Sequence, residues 1–429
     1  MTSMTTSSTN GTSEYLIVLT AAGHRLSPTT FAMESAFADH LRTMLSELRP
    51  RFDRVVVAMG DMQEKDYQEW KSSLSVIDET KESIRFEPVF TWKASHAQFA
   101  LELPSCTAKL AKLVKEADLV HSHPAYDLYR PVENIATAIA LALHKKLIAI
   151  TDMDNRRDAE MNYQLGRWST KSYLLCKYVY DPIRDMQQRA YVKFSDLVLF
   201  KEPQQVHDYG HGQAHVRLFL DPNFHPDDIA SDDVVAKKIK DLEDPDAPLR
   251  ALYFGRLVPY KGVDRMIEAV ALARAAGAHI TFDIMGNGVE APKLKALAEQ
   301  LGVADVVRFL DARPYGESLF EVLREHHVLL ACPLSADTPR STWDALASAV
   351  PLFAFDTPFY HGIASYTGAV DVVPWPQIAP LGDKLTAYAR NKRTLIPLVR
   401  NAVRAARENT GEEWLKKRVS WVEELFATH

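Results

Sequence analysis

Short apolar runs recur along the chain, and between them apolar residues fall three and four positions apart. Tyr15–Ala21, Val55–Met59, Asp118–His121, Leu147–Thr151 and Leu197–Lys201 read as strands in the first half. Arg250–Gly255, Ile280–Met285, Val306–Leu310, His327–Cys332, Leu352–Phe355 and Ala369–Val373 read so in the second. Several are continuous β-rich runs, the pattern of parallel strands buried on both faces. Amphipathic helices lie between them. In Ala291–Leu301, for example, Leu294, Leu297, Ala298 and Leu301 share one face. Alternating strands and helices predict an α/β protein with parallel sheets covered on both sides. The alternation breaks at Asp221–Pro248, a polar, proline-punctuated stretch holding a charged helix at Val234–Leu242, and resumes at Arg250. A final amphipathic helix, Glu412–Phe426, follows the polar break Asn409-Thr410-Gly411. The division is a flexible tail (1–13), a first domain (14–225), a second (226–410) and a terminal helical segment (411–429). No self-similarity at a fixed period marks a repeat array.

Composition narrows the class. The 429 residues carry 50 Lys+Arg against 56 Asp+Glu, a net charge of -6, which argues against the broadly basic face of a non-specific nucleic-acid binder. Cys106, Cys176 and Cys332 are far apart and lack CxxC spacing, so neither a disulfide framework nor a thiolate zinc site is expected. Met1–Ser13 is polar and Ser/Thr-rich, without the basic start and apolar core of a signal peptide. The Asn10-Gly11-Thr12 sequon has no meaning without a secretory route. The longest apolar stretch, Ile135–Leu143, is about half of what a bilayer requires. A cytoplasmic protein is expected.

Chemistry concentrates after the strand ending at Gly255. Arg256 and Lys261 follow it, before a helix at Val263–Ala275. In a doubly wound sheet ligands bind beyond the carboxyl ends of the strands. Two cations there suit a diphosphate, Arg gripping two oxygens and Lys acting as a mobile charge. His121 and His123 lack a third ligand at helpful spacing, so no metal site is expected. His326-His327, Trp343, Phe359-Tyr360 and Trp375-Pro376 read as capping or packing residues. There is no Gly-x-Ser-x-Gly elbow and no P-loop.

FGRLxxxKG at Phe254–Gly262, Asp283-Ile284-Met285-Gly286-Asn287-Gly288 and Trp343–Pro351 occur in the order seen in family 4-type glycosyltransferases. The chain resembles these enzymes clearly over Leu249–Asp356 and more weakly before. They are retaining enzymes of the GT-B fold that use nucleotide-sugar donors without a metal. The resemblance implies two Rossmann-like domains facing across a cleft, with the last helix crossing back onto the first domain. It implies that Gly255, Arg256 and Lys261 hold the donor diphosphate, that Gly286, Asn287 and Gly288 approach the donor, and that Asp344 takes both ribose hydroxyls. The family's other conserved acid falls on Ala336, with Asp337 beside it, and its loop glycine falls on Pro339, which has no N–H to offer. Asp337, Arg340, Ser341 and Thr342 are the replacements near that helix start.

Three loops of the first half should face the cleft: Gly23-His24-Arg25, His121–Tyr126 and Thr151–Arg157. Similar enzymes often carry a histidine where Asp152 stands. Asp152 therefore joins Arg256 and Lys261 as a catalytic candidate, orienting a sugar hydroxyl or stabilising an oxocarbenium-like transition state. His24, Arg25, His121, His123, Asp154 and Arg156 are the acceptor-binding candidates. The implied partners are a nucleotide diphosphosugar and a saccharide or lipid-linked acceptor, with peripheral contact at the inner membrane face and no cofactor. Other readings stand beside this one. One is a degenerate, non-catalytic sugar-nucleotide binder, and another is a GT-B epimerase or phosphorylase. Asp152-Met153-Asp154 also matches the D-x-D of metal-dependent GT-A enzymes, although Asp244-Pro245-Asp246 is a second such triplet in the linker.

Overall fold

The computed structural model describes residues 12–427 and is built on two sheets, the first mostly and the second entirely parallel. The first contains β1 (Glu14–Arg25), β2 (Thr30–Glu34), β3 (Arg54–Asp61), β4 (Leu74–Asp78), β5 (Ile84–Thr91), β6 (Leu119–Ser122), β7 (Lys146–Thr151), β8 (Leu197–Phe200) and β9 (Val216–Leu218). Its parallel part runs β5-β3-β1-β6-β7-β8-β9. The second contains β10 (Leu249–Phe254), β11 (Ile280–Met285), β12 (Val307–Leu310), β13 (Val328–Ala331), β14 (Leu352–Phe355) and β15 (Val370–Val373), in the order β12-β11-β10-β13-β14-β15. In each sheet the first strand is central and the order reverses beside it. That reversal opens a crevice at the carboxyl ends, between β1 and β6 and between β10 and β13. The apolar runs explain the strands: β8, β13 and β14 are buried at every position, as strands covered on both faces must be.

Four strands, β2, β4, β5 and β9, lie outside the expected set. β4 is mostly half-buried at the sheet margin and alternates polar with apolar residues, and β5 alternates charges with apolar residues and holds Pro88, so neither presents a continuous apolar run. Proline is tolerated in β5 because it is an edge strand paired only with β3. β1 is longer than Tyr15–Ala21. Its register shifts between Val18 and Ala22, and Gly23–Arg25 then pair antiparallel with β2.

The polar stretch after β9 leads into a helix at Asp232–Glu243, which leans on the second domain: Lys238 donates to the carbonyls of His326 (2.6 Å) and Ser348 (3.2 Å). The last helix, Gly411–Ala427, buries Trp414, Arg418 and Val422, one face at helical spacing. Trp414 meets Phe219 edge-on, and Arg418 donates to the Tyr15 hydroxyl at 3.0 Å. The tail reading falls on residues 1–11, outside those described. Ser13 is already anchored, its amide donating to Asp53 at 2.8 Å and its hydroxyl to Asp118 at 2.9 Å. The three cysteines are buried free thiols. No described helix is long and apolar enough to cross a membrane.

Candidate functional site

The loop after β10 is shaped by its neighbours. The Gly255 amide donates to Met285 O (3.0 Å) and the Leu257 amide to Asn287 O (2.9 Å), while the Tyr253 hydroxyl holds the Arg256 carbonyl at 2.9 Å. Gly286, at φ +150°, faces the Gly255 carbonyl so closely that a Cβ would collide with it. The glycines at 286 and 288 thus make room for the β10 loop, and only Asn287 between them is free to reach outward. Gly262, in the left-handed region at φ +64°, lies equally close to Cys332 O at the end of β13.

These constraints leave Arg256 exposed at the crevice between β10 and β13. Among the described residues its side-chain partner is the Tyr260 hydroxyl, 2.8 Å away. Lys261 is ion-paired with Asp337, so its charge is shared before any ligand arrives. Gly255, Arg256, Lys261, Asp337, Arg340 and Ser341 line one pocket of about 310 Å³, the lower end of ligand-site size. Arg340 also reaches the first domain side, donating to Asn223 at 2.8 Å.

Two expected donor residues are withdrawn from this pocket. Thr342 is fully buried and points its hydroxyl at that of Tyr360, 3.5 Å away. Asp344 is buried as well, and accepts from the Tyr315 hydroxyl at 3.0 Å. Burial pushes its pKa up to about 7 against that hydrogen bond. Its carboxylate is therefore held by the protein, and Tyr315 must yield before ribose hydroxyls can replace it.

The facing wall belongs to the first domain. Asp152, just past β7, is 60% exposed at the cleft and pairs with Lys201, just past β8, at 2.9 Å. Lys201 also pairs with Asp221 at 3.2 Å. Asp154 is buried and gripped by Arg156, which bridges on to Asp208 at 2.6 Å. Asp154 and Arg156 border a groove of about 430 Å³ whose opposite side is Asp356, Thr357, Pro358 and His361 of the second domain. His123 keeps Nε2 3.6 Å from the buried Glu133. His121 instead stacks on Tyr15, with Nδ1 3.2 Å from its hydroxyl. Burial, then Arg418, holds its pKa well below the ordinary value, so it is a neutral wall residue.

His24 and Arg25 are not on a cleft loop. They lie within β1, where it continues to pair with β2. His24 stacks on Tyr67, with ring nitrogens 2.7 Å from Met62 O and 3.1 Å from Glu64. Arg25 spans the Phe86 carbonyl and Glu79, under the rings of Phe31 and Phe86. Both tie the hairpin to the sheet, so their ring and guanidinium nitrogens are already engaged within the first domain. His326 and His327 pack as expected, against Asp283 and Asp241 (3.0 Å each). Among the described residues no group of three or more His, Cys, Asp and Glu is placed to hold a metal ion. Sequence reasoning missed Lys201, Asp221 and Tyr315. Lys201 was findable, since a cation directly after a parallel strand is the same signal that marks Arg256.

Residues 234–395 match the family described as glycosyl transferases group 1. The GtfA subunit of a UDP-N-acetylglucosamine–peptide N-acetylglucosaminyltransferase from Streptococcus parasanguinis is 31% identical over 104 residues, 24% of this chain and 20% of that one. The chain thus spans about a fifth of the length of the curated relatives it matches. Among solved structures, Anabaena HepE in complex with UDP superposes with a TM-score of 0.60 at 15% identity, covering 97% of this chain and 100% of that one. Sucrose-phosphate synthase from Thermosynechococcus elongatus gives 0.62, also at 15% identity, over 97% and 100%. The two-domain architecture is the GT-B fold.

Proposed function

We propose that this chain, whose residues 234–395 match the glycosyl transferases group 1 family within a GT-B fold, transfers a sugar from a nucleotide diphosphosugar to an acceptor held by the first domain. The observation that carries this reading is the cation set of the second domain. Arg256, Lys261 and Arg340 converge on one pocket at the point where the strand order reverses, and among the described residues no carboxylate pairs with Arg256. A doubly negative diphosphate supplies what that pocket lacks.

The donor in this proposal is a UDP-sugar, which the uridine nucleotides in the names of the GtfA relatives and the HepE structures support. As the bond from the sugar's anomeric carbon to the diphosphate breaks, charge builds on the departing oxygens. Arg256 and Lys261 bind that charge more tightly in the transition state than in the ground state, which lowers the barrier. Asp152 faces the positive charge developing on the sugar ring. The acceptor hydroxyl attacks on the face the diphosphate leaves, and the departing phosphate oxygen takes its proton, so configuration is retained. No metal is required in this scheme, because the protein's own cations neutralise the leaving group.

The acceptor is a saccharide or a lipid-linked saccharide. A lipid-linked acceptor would be met at a membrane surface, and Leu174, Leu175 and Tyr178 lie exposed beside Lys171 and Lys177 on a helical projection suited to that contact. Calorimetry with UDP-, GDP-, ADP- and TDP-sugars, each with and without EDTA, tests the donor half. Tight binding of one UDP-sugar, unchanged by EDTA, is expected. Binding that needs a divalent metal, or no binding at all, overturns it. A panel of saccharide, lipid-linked and peptide acceptors tests the other half, peptide being included because the GtfA relatives are named for it. Donor-dependent stabilisation with no UDP release would favour the non-catalytic reading, which the Ala336 and Pro339 departures motivate.

A further inference from the structure

Lys201 is the hub of a charge network assembled from distant stretches of the chain. It pairs with Asp152 at 2.9 Å and with Asp221 at 3.2 Å. Behind Asp221 stands His40, Nδ1 to Oδ1 at 4.0 Å. Behind His40 stands Arg418 of the last helix, 3.3 Å from Nε2. An arginine has only donors, so His40 Nε2 must accept and Nδ1 carries the hydrogen that faces Asp221. Burial holds the His40 pKa down, to about 4, so the ring is neutral at ordinary pH. Arg418 continues to the Tyr15 hydroxyl, and that hydroxyl to His121. The open end of the network is the Asp152 carboxylate, the member most exposed to the cleft.

We propose that Lys201 is a positioning residue, which holds the Asp152 carboxylate in place against the sugar while Asp221, seated on His40, fixes Lys201. This inference rests on the glycosyl-transfer reading of the cleft. The physical argument is one of geometry and charge. An exposed aspartate on a loop has free rotamers, and a cation shared between two carboxylates removes that freedom on one side only. The surrounding cleft walls shield Asp152 in part from water, which works against its ionisation, but Lys201 outweighs this and keeps the acid below its ordinary pKa. The other groups facing Asp152 are His123, Asp221 and the Tyr126 phenol. Of these, Asp221 repels it and Tyr126 carries no charge below its raised pKa, so Lys201 is the dominant counter-charge. Lys201 does not line the pocket of Arg256 and Lys261, so diphosphate binding should not depend on it.

The test combines UDP calorimetry with steady-state UDP release from UDP-glucose and UDP-N-acetylglucosamine. Lys201→Met should leave the UDP Kd within about twofold, lower kcat by about 10- to 100-fold, and move the acid limb of the pH–rate profile to higher pH. Lys201→Arg should recover most of the rate and the profile. In an Asp152→Asn background, Lys201→Met should cost little more, because the two act as a unit. A wild-type kcat and acid limb in a folded Lys201→Met overturns the inference, as does a loss of UDP affinity in step with kcat, which marks a merely structural role. If Lys201→Met fails to fold, Asp221→Asn keeps the pair with Asp152 and removes its support. It should lower kcat at an unchanged UDP Kd and, because Asp221 repels Asp152, move the acid limb to lower pH; an unmoved kcat and profile overturn the inference. A wild-type protein that neither binds UDP nor releases it from a UDP-sugar defeats the transferase reading itself, whereas turnover indifferent to Lys201 defeats only this one.

Discussion

The two walls of the cleft hold similar numbers of charged groups and use them differently. On the first-domain wall nearly every cation named is engaged with carboxylates: Arg156 with Asp154 and Asp208, Lys201 with Asp152 and Asp221. On the second-domain wall Lys261 is paired with Asp337, but among the described residues the Arg256 guanidinium bonds a tyrosine hydroxyl and that of Arg340 an asparagine. A cation without a counter-ion in a walled pocket is an invitation to an anion, because a bound anion recovers interaction energy that water alone supplies weakly. A neutralised wall suits a partner without charge, and it fixes the direction of its few open groups. In the proposed reading this contrast is what assigns the diphosphate to the second-domain wall and the acceptor hydroxyl to the first.

The sharpest way to break that contrast is to remove one cation from each wall. Arg256→Ala should lower kcat/KM for UDP release by about 100-fold, in line with a lost oxyanion-type donor. Arg156→Ala should leave UDP affinity within about twofold and act only on acceptor-dependent turnover. UDP calorimetry beside a transfer assay reads both. Equal loss of UDP affinity in the two variants would erase the distinction between the walls.

A second test concerns how the diphosphate side is built. Gly286→Ala places a Cβ against the Gly255 carbonyl at a φ that side chains rarely adopt. The β10 loop must shift, at a cost of about 2 kcal/mol or more. The first thermal transition should fall and UDP affinity should fall with it. An unchanged melt with unchanged affinity would mean that the glycine turn does not set the position of Arg256.

The difference between the walls also explains what was legible. Arg256 and Lys261 sit within one short stretch, and the glycines that shape their loop are visible as glycines. The strand runs of the second domain were read within a residue or two because they are mostly buried and predominantly apolar. On the first-domain wall the readable signals mislead. The apolar run of β1 ends at a register shift and not at the end of the strand, which turned His24 and Arg25 into loop residues on paper. Lys201, Asp221, His40 and Arg418 come from separate segments and meet only in space. Lys238 belongs to what reads as a solvated charged helix, yet it is buried and holds two carbonyls. Such pairings depend on tertiary contacts that spacing along the chain does not encode.

A smaller effect is expected from Asp344. Its folded pKa, about 7, lies above that of an unfolded aspartate, about 4. The stability it contributes is thus fully present below about pH 4 and is lost as pH rises through about 7, because the unfolded chain ionises more readily. Asp344→Asn removes that loss. The melting temperature of the variant relative to wild type should rise steadily between pH 5 and 8. A constant difference across that range would show that Asp344 is already ionised in the folded protein, and so ready for ribose without any change at Tyr315.

The smallest effect is expected at Tyr260, whose hydroxyl is the partner that keeps Arg256 from being wholly free. The bond is exposed, and such bonds contribute about 0.5–1 kcal/mol. If the hydroxyl steadies the guanidinium toward the pocket, Tyr260→Phe should weaken UDP binding by about two- to fivefold and leave the fold intact, since the ring stays. If it competes with the diphosphate, the same change should tighten binding by a similar factor. The cleft contrast favours the first outcome, because a hydroxyl that accepts from one guanidinium nitrogen leaves the remaining donors to grip two phosphate oxygens. Tighter binding in Tyr260→Phe would mean that the second-domain wall, like the first, holds its cation engaged until the ligand displaces its partner.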